Sequence, residues 1–156
     1  MHVLDSSVWI YALTRTCKPA VELVEDVLAG DLQVTVDAYI FNEVVAGLER
    51  SGSDSQAISD AQTRFAEIVY RSESISEPTQ RQVEQLSLDV LRLDDRTQLL
   101  GTTWGIQPKD VPVVVHAYSQ PTDPTRIFTS DEAFSEFDPS AFGIEGIVLQ
   151  YVDCSE

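Results

Sequence analysis

Four acidic residues are the side chains of this sequence that could do chemistry together: Asp5, Glu43, Asp110 and Asp131. Carboxylates that gather in one place repel one another and raise each other's proton affinity, so a cluster of four is tolerable only when a divalent cation offsets the charge. Oxygen ligands without paired histidines select hard cations, which favours Mg²⁺ or Mn²⁺ and argues against zinc. Convergence of the four side chains would therefore predict a metal site.

The other common catalytic devices are missing from the sequence. No glycine-rich phosphate loop precedes a helix, and no GxSxG elbow is present. His2 and His116 form no ligand spacing with each other or with a cysteine, and His116 lies in an apolar segment where a satisfied core histidine is the commoner case. Cys17 and Cys154 fit neither a zinc-ligand spacing nor a redox pair, so they are expected to be reduced thiols.

Two of the four acids follow predicted strands directly. Asp5 ends the apolar run His2 to Leu4, and Asp131 comes just after the apolar run Ile127 to Thr129. Ligands of open parallel sheets bind outside the carboxyl ends of the strands. The two aspartates are therefore expected at the same rim.

Helical patterns position the other two acids. Asp37 is expected to cap a third helix that carries Glu43 beside its apolar stripe. Asp110 begins a segment, Val111 to Tyr118, that is apolar on every face and so predicts a buried helix. Further helices are predicted at Ser6 to Leu13, Val21 to Leu28, Ala57 to Val69, Val83 to Leu93 and Glu132 to Phe137, and further strands at Leu32 to Val36 and Ile147 to Val152.

Strands that alternate with helices long enough for crossovers predict a mainly parallel sheet with helices on both faces. The expected fold is an α/β protein, a three-layer α/β/α sandwich, and the length predicts a single domain over residues 1–156. The fourth and fifth helices, Ala57 to Val69 and Val83 to Leu93, are expected to be purely architectural.

Each acid also has a structural explanation that needs no metal. Asp110 and Asp131 stand where helix N-caps stand, and an acid before a helix is ordinary. Glu43 has no lysine or arginine at i+3 or i+4, and Gly47 one turn later is expected to leave open space beside it. A merely solvated glutamate is the alternative for Glu43.

The charge of the chain bears on its partners. The sequence has 26 acidic and 10 basic residues, a formal net charge of −16, and only two lysines. Such a surface suits a halophilic host with molar salt in its cytoplasm, where exposed charges are screened. Under such salt, nucleic-acid binding would rest on metal bridging, hydrogen bonds and stacking, so the acidity does not exclude RNA or DNA. No transmembrane stretch or signal peptide is apparent, which predicts a cytoplasmic protein.

Four short motifs resemble those of the PIN-domain family, particularly its single-domain VapC-like toxins. The motifs are Val3-Leu4-Asp5-Ser6-Ser7, Asn42-Glu43, Lys109-Asp110 and Phe128-Thr129-Ser130-Asp131. The resemblance implies that Asp5, Glu43, Asp110 and Asp131 bind the metal, and that the hydroxyls of Ser7 and Thr129 help to position ligand or substrate. The segment between residues 51 and 108 matches the family in helical character alone. Val111-Pro112 after Asp110 departs from the family's usual small residues.

The resemblance implies a metal-dependent ribonuclease. One or two ions would orient water, lower its pKa and stabilise an in-line transition state. RNA would be cut to leave a 5′-phosphate and a 3′-hydroxyl, the chain would form a homodimer, and a cognate antitoxin would accompany it if it is a toxin.

Three alternatives remain from the sequence. A PIN-like domain can bind RNA or a protein partner without cutting, because function resides in the site and not in the fold. A haloacid-dehalogenase-type phosphatase also places an aspartate after its first strand, but it needs a second acid two residues later, where this chain has Ser7. A receiver domain needs a late lysine, and no lysine follows Lys109.

Overall fold

Short parallel strands form the centre of the fold. The computed structural model describes residues 1–120 and 124–155, and the strands within them are β1 (Val3–Leu4), β2 (Val34–Thr35), β3 (Ile75–Ser76), β4 (Thr125–Thr129) and β5 (Ile147–Tyr151). Strand β4 pairs with β1 on one side and β5 on the other, and β2 pairs with β3. A parallel bridge between His2 and Val34 links the two groups, which gives the order β3-β2-β1-β4-β5.

Helices connect these strands and begin at the capping residues that local chemistry favours. Asp5, Asp37 and Asp54 each accept a hydrogen bond from the first turn of the helix that follows. The helices are α1 (Ser6–Leu13), α2 (Lys18–Leu28), α3 (Ala38–Glu49), α4 (Ser55–Arg71), α5 (Gln80–Gln85), α6 (Leu88–Leu93), α7 (Asp95–Trp104), α8 (Val111–Tyr118) and α9 (Glu132–Ser135), with 3-10 turns at Pro108–Asp110 and Pro139–Phe142.

The predicted α/β class with a parallel sheet is confirmed, and the predicted elements are found with small shifts in their ends. One local prediction was wrong, and one element was not predicted. The fifth helix is two helices, because the chain turns extended at Leu86 and the Ser87 hydroxyl caps a new start at α6. Strand β3 was not predicted, since only two residues pair and they leave no alternating pattern.

Helix α8 was predicted to be buried on every face and is not. Val113, Val114 and Ala117 are buried against the core, whereas Val115 and Tyr118 are largely exposed. The neighbouring helices cover only one side of α8, which its sequence could not show. No helix of the described residues is long and apolar enough to cross a membrane.

The two cysteines were predicted to be reduced thiols, and this was wrong. Cys17, before α2, and Cys154, after β5, form a disulfide with their Cα atoms 5.2 Å apart. Spacing in the sequence did not suggest the bond, because only the fold brings the two ends of the chain together. Closing so long a loop removes conformational freedom from the unfolded chain, an effect of about 4–5 kcal/mol in the chain-entropy model. The cytoplasmic location stays a prediction.

Candidate functional site

The four acids selected from the sequence lie in one region, near the carboxyl ends of β1 and β4. Asp5 directly follows β1, Asp131 stands two residues after β4, Glu43 lies in the second turn of α3, and Asp110 ends the 3-10 turn before α8. Asp5, Glu43 and Asp110 are buried, with exposed fractions of 5, 7 and 4%. Burial of three carboxylates at one place is costly unless each is paired, hydrogen-bonded or protonated.

Asp5 is held in one orientation by its neighbours. Its Oδ1 accepts a hydrogen bond from the Ser6 amide at 2.8 Å, and its Oδ2 accepts from the hydroxyls of Thr129 at 2.9 Å and Ser7 at 3.3 Å. The same two hydroxyls accept from the turn after β4, Ser7 from the Ser130 amide and Thr129 from the Asp131 amide. Ser7 and Thr129 therefore fix Asp5 relative to Asp131.

Asp110 differs from the other acids in its lack of donors. Its carboxylate makes no hydrogen bond or ion pair within the described residues, and it does not cap α8. The capping explanation that its sequence position allowed is therefore wrong. Tyr39 fixes the backbone next to Asp110, because the tyrosine hydroxyl donates a hydrogen bond of 2.6 Å to the Lys109 carbonyl oxygen.

The carboxylates are close enough to disturb one another's ionisation. Burial raises the pKa of Asp5 to about 6, with the charge of Glu43 adding to the effect and the Thr129 hydrogen bond opposing it. Burial also raises the pKa of Asp110 to about 7, and the charges of Asp5, Asp131 and Glu43 raise it further against the opposing charge of Lys109. Such mutual repulsion is the property expected of a cluster that lacks a compensating cation.

Glu43 forms an ion pair with a basic residue that the sequence analysis did not identify. The Arg92 Nη2 atom lies 2.7 Å from Glu43 Oε2, and the Arg92 Nε donates to the Tyr39 hydroxyl at 3.0 Å. The Tyr39 hydroxyl also lies 3.1 Å from Glu43 Oε2. Glu43 is thus buried and paired, and the solvated alternative is excluded. Arg92 belongs to α6, so the segment predicted to be purely architectural reaches the site.

The expectation of open space beside Glu43 was also wrong. A Cβ atom at Gly47 would overlap the Cδ1 atom of Ile10. Because Gly47 has no side chain, Ile10 of α1 packs closely against α3 and fills the space beside Gly47.

Asp131 has two structural partners. Its Oδ1 accepts from the Phe134 amide at 3.2 Å and so caps α9, as the sequence allowed. Its Oδ2 lies 3.9 Å from Lys109 Nζ. Both side chains are partly exposed, so this ion pair contributes little to stability.

Asp37 and His116 form a separate pair. Asp37 caps α3 through the Ile40 amide at 2.8 Å, as predicted, and its second oxygen lies 3.6 Å from His116 Nδ1. Burial lowers the pKa of His116, whereas the charge of Asp37 opposes that change. The buried Nε2 of His116 has no partner in the described part of the chain, so this histidine is only half satisfied.

The donor chemistry fits a hard divalent cation, but the present side-chain conformations do not preform its site. Within the described residues, no three His, Cys, Asp or Glu side chains are arranged to hold one metal ion. Glu43 Oε2 is instead paired with Arg92, and Asp131 Oδ2 is paired with Lys109. Asp5 and Asp110 remain as two buried, mutually repelling carboxylates to which a cation would bind favourably.

The raised pKa values predict how stability depends on pH when divalent ions are removed. The folded-state values of about 6 for Asp5 and about 7 for Asp110 lie above the values of about 4 expected in the unfolded chain. The folded state therefore holds more protons between about pH 4 and pH 7, and the free energy of unfolding falls as pH rises through that window. We expect a loss of several kcal/mol, measured by urea denaturation in EDTA.

Two comparisons isolate this effect from the general repulsion of a protein with net charge −16. Asp110→Asn should flatten the decline, because the residue with the higher pKa no longer ionises. Added Mn²⁺ should restore stability at the upper end of the window. A decline that is equally steep in Asp110→Asn would show that other groups cause it.

The sequence contained a signal for Tyr39 but none for Arg92. Tyr39 lies four residues before Glu43 and hence on the same face of α3, so a hydrogen bond between them follows from helical spacing. Arg92 is 49 residues away from Glu43 along the chain, and only the packing of α6 against α3 brings them together.

Comparison of the chain with protein-family models, with curated proteins and with solved structures gives no match in any of the three.

Proposed function

We propose that this chain is a PIN-like, metal-dependent endoribonuclease that hydrolyses RNA phosphodiester bonds with Mg²⁺ or Mn²⁺. One observation carries the proposal: Asp110 is a buried carboxylate without a hydrogen-bond donor among the described residues, next to a second buried carboxylate, Asp5. A protein that only needed a helix start at this point would gain nothing from burying the charge. The finer fold that goes with this function is a three-layer α/β/α sandwich.

The roles of the residues follow from their contacts. Asp5 and Asp110 would hold the cation, with Glu43 and Asp131 completing the set once Arg92 and Lys109 release them. The bound ion would supply charge neutralisation and a water of lowered pKa. Ser7 and Thr129 keep Asp5 from rotating, because both hydroxyls donate to the same oxygen, Oδ2. Lys109, released from Asp131, would lie beside the scissile phosphate.

The partners follow from the same proposal. RNA is the substrate, the active unit is a homodimer, and an antitoxin encoded nearby would inhibit the chain if it acts as a toxin. The acidic surface is consistent with a host that keeps concentrated salt in its cytoplasm.

Cleavage by the purified wild-type protein tests the proposal. A mixed RNA pool is incubated in molar KCl with Mg²⁺, with Mn²⁺ or with EDTA, and the products are separated and their ends identified. We expect cutting only with the divalent ions, to 5′-phosphate and 3′-hydroxyl ends. Folding is checked by circular dichroism in the same buffer, so that inactivity cannot be confused with unfolding. No cutting by the folded, metal-replete protein would contradict the proposal.

The two ion pairs favour a second candidate, a PIN-like domain that binds RNA or a protein without cutting it. Glu43 and Asp131 are both engaged by cations of the chain itself, an arrangement that is stable without metal. The two candidates differ in metal affinity. Micromolar binding of Mn²⁺ in calorimetry favours the nuclease, whereas no heat of binding favours the silent domain.

A further inference from the structure

A cavity of about 540 Å³ is lined by Glu43, one of the four acids, and by Lys109, the residue before Asp110. We call it the basic groove, and the side chains that define it are Ser7, Glu43, Arg50, Arg92, Gln98 and Lys109. It extends from the site along α3 and past the end of α6. Its volume is in the range of cavities that bind small molecules or parts of larger ones.

The groove is positive in a protein that is strongly negative. Three of the chain's ten basic residues line it, Arg50, Arg92 and Lys109, while Glu43 is its only acidic residue. Glu43 is already neutralised by Arg92. The cavity is therefore lined by more basic than acidic side chains on a chain of net charge −16, which favours an anion as its ligand.

Arg50 is the cation of the groove that is free to bind. Its side chain is exposed and makes no hydrogen bond or ion pair within the described residues, unlike Arg92 and Lys109. Arg50 follows Glu43 by seven residues on α3 and its C-cap, which places both on one face of the helix about 10 Å apart along its axis. That distance spans about three nucleotides of a stacked strand and fewer of an extended one.

We propose that the basic groove binds the phosphodiester backbone of RNA beside the scissile bond, with Arg50 as a ligand of a non-reacting phosphate. The inference rests on the proposed function, because the scissile phosphate is taken to lie at the carboxylates. The arginine fork matches phosphate oxygens in a bidentate way that a lysine cannot. Phosphate contacts carry no sequence information, so the groove raises affinity for RNA of any sequence.

The neutral part of the groove agrees with a nucleotide chain as occupant. Ile10 and the exposed Leu93 offer apolar surface for ribose or base, and Gln98 and Gln107 offer amides. An acidic protein segment could bind the same basic side chains, so the experiment includes an acidic polypeptide as a competitor.

Binding of a short fluorescein-labelled single-stranded RNA, measured by fluorescence anisotropy in EDTA, tests the groove without cleavage. We expect Arg50→Gln to weaken binding about tenfold, because a charge-assisted contact is lost, and to lower the salt-dependence slope by about 1. Arg50→Lys should recover only part of the affinity. Arg71→Gln is the matched control: it removes the same charge from an exposed arginine at the end of α4, in a different cavity.

The outcomes separate this proposal from the nuclease proposal. Equal RNA affinities for Arg50→Gln and Arg71→Gln, or no RNA binding by the wild type, would overturn the proposal that the groove binds RNA. This holds whether or not the protein cuts RNA. Displacement of wild-type RNA by poly-glutamate at equal charge concentration would also overturn it. If the wild type cuts RNA, Arg50→Gln should raise KM and leave kcat unchanged, because the contact is remote from the reacting phosphate. Loss of binding in Arg50→Gln with no cutting by wild type would leave the groove standing and refute only the nuclease.

Discussion

Replacement of Asp5 with asparagine is expected to abolish metal-dependent RNA cleavage while making the metal-free protein more stable. Asparagine keeps the shape and still accepts a hydrogen bond from the Ser6 amide, but its Nδ2 cannot accept from the Thr129 and Ser7 hydroxyls, and it removes the charge that a cation requires. Since a bound metal supplies several kcal/mol of transition-state stabilisation, kcat should fall by at least about a thousandfold. Stability near neutral pH in EDTA should rise by about 1–3 kcal/mol, because the pKa of Asp5 is raised to about 6 and its ionised form is disfavoured.

The opposite signs of the two effects make the result specific. Misfolding would lower both activity and stability, whereas loss of a metal ligand lowers one and raises the other. Single-turnover cleavage and urea denaturation provide the two readouts. Asp54→Asn is the matched control, because Asp54 is an exposed helix cap and asparagine caps equally well. An Asp5→Asn variant that still cuts at the wild-type rate would rule out Asp5 as a metal ligand.

Replacement of Arg92 with glutamine is expected to destabilise the metal-free protein by about 2–4 kcal/mol. Removal of one partner from a buried ion pair leaves an uncompensated charge, here Glu43, whose side chain is only 9% exposed. The figure lies toward the lower end of measured values because the Arg92 side chain is itself 25% exposed. The variant also loses the hydrogen bond from Arg92 Nε to the Tyr39 hydroxyl.

The affinity for metal should increase in the same variant. A cation no longer has to displace Arg92 from Glu43, so Mn²⁺ should bind roughly tenfold or more tightly, which corresponds to about 1.4 kcal/mol or more. Calorimetric titration with Mn²⁺ measures this directly. Arg81→Gln is the control, since Arg81 is exposed on the preceding helix and is unpaired within the described residues. Unchanged metal affinity in Arg92→Gln would show that Glu43 does not take part in metal binding.

Local chemistry in the sequence predicted most of the helices and strands. Apolar spacing located α2 to α4 and capping residues located α1. Asp37 was correctly assigned as a cap, because capping depends on atoms three residues apart. The split between α5 and α6 was missed, because Val83, Leu86, Val90 and Leu93 keep one helical spacing across the break. Of these, Val90 and Leu93 are exposed. Apolar spacing alone therefore does not tell a continuous helix from two short ones.

The sequence predicted the acids of the candidate site but not the basic residues that pair with them. Asp5 and Asp131 could be placed together from the sequence, because parallel strands deliver their carboxyl ends to one edge. Ser7 and Thr129 were assigned from the resemblance alone, and they do contact Asp5. Their roles in binding metal or substrate stay predictions.

The sequence by itself determined that Asp37 and Asp131 cap helices, which carboxylates lie at the strand ends, and that the chain is α/β with parallel pairing. These are properties of neighbours along the chain. Only the tertiary structure decided that Arg92 neutralises Glu43, that Cys17 joins Cys154, and that Arg50 and Glu43 line the same cavity. Each of these depends on how separate elements pack or on where a side chain points in the folded chain. Charge compensation is set by distance in space, which a sequence does not contain.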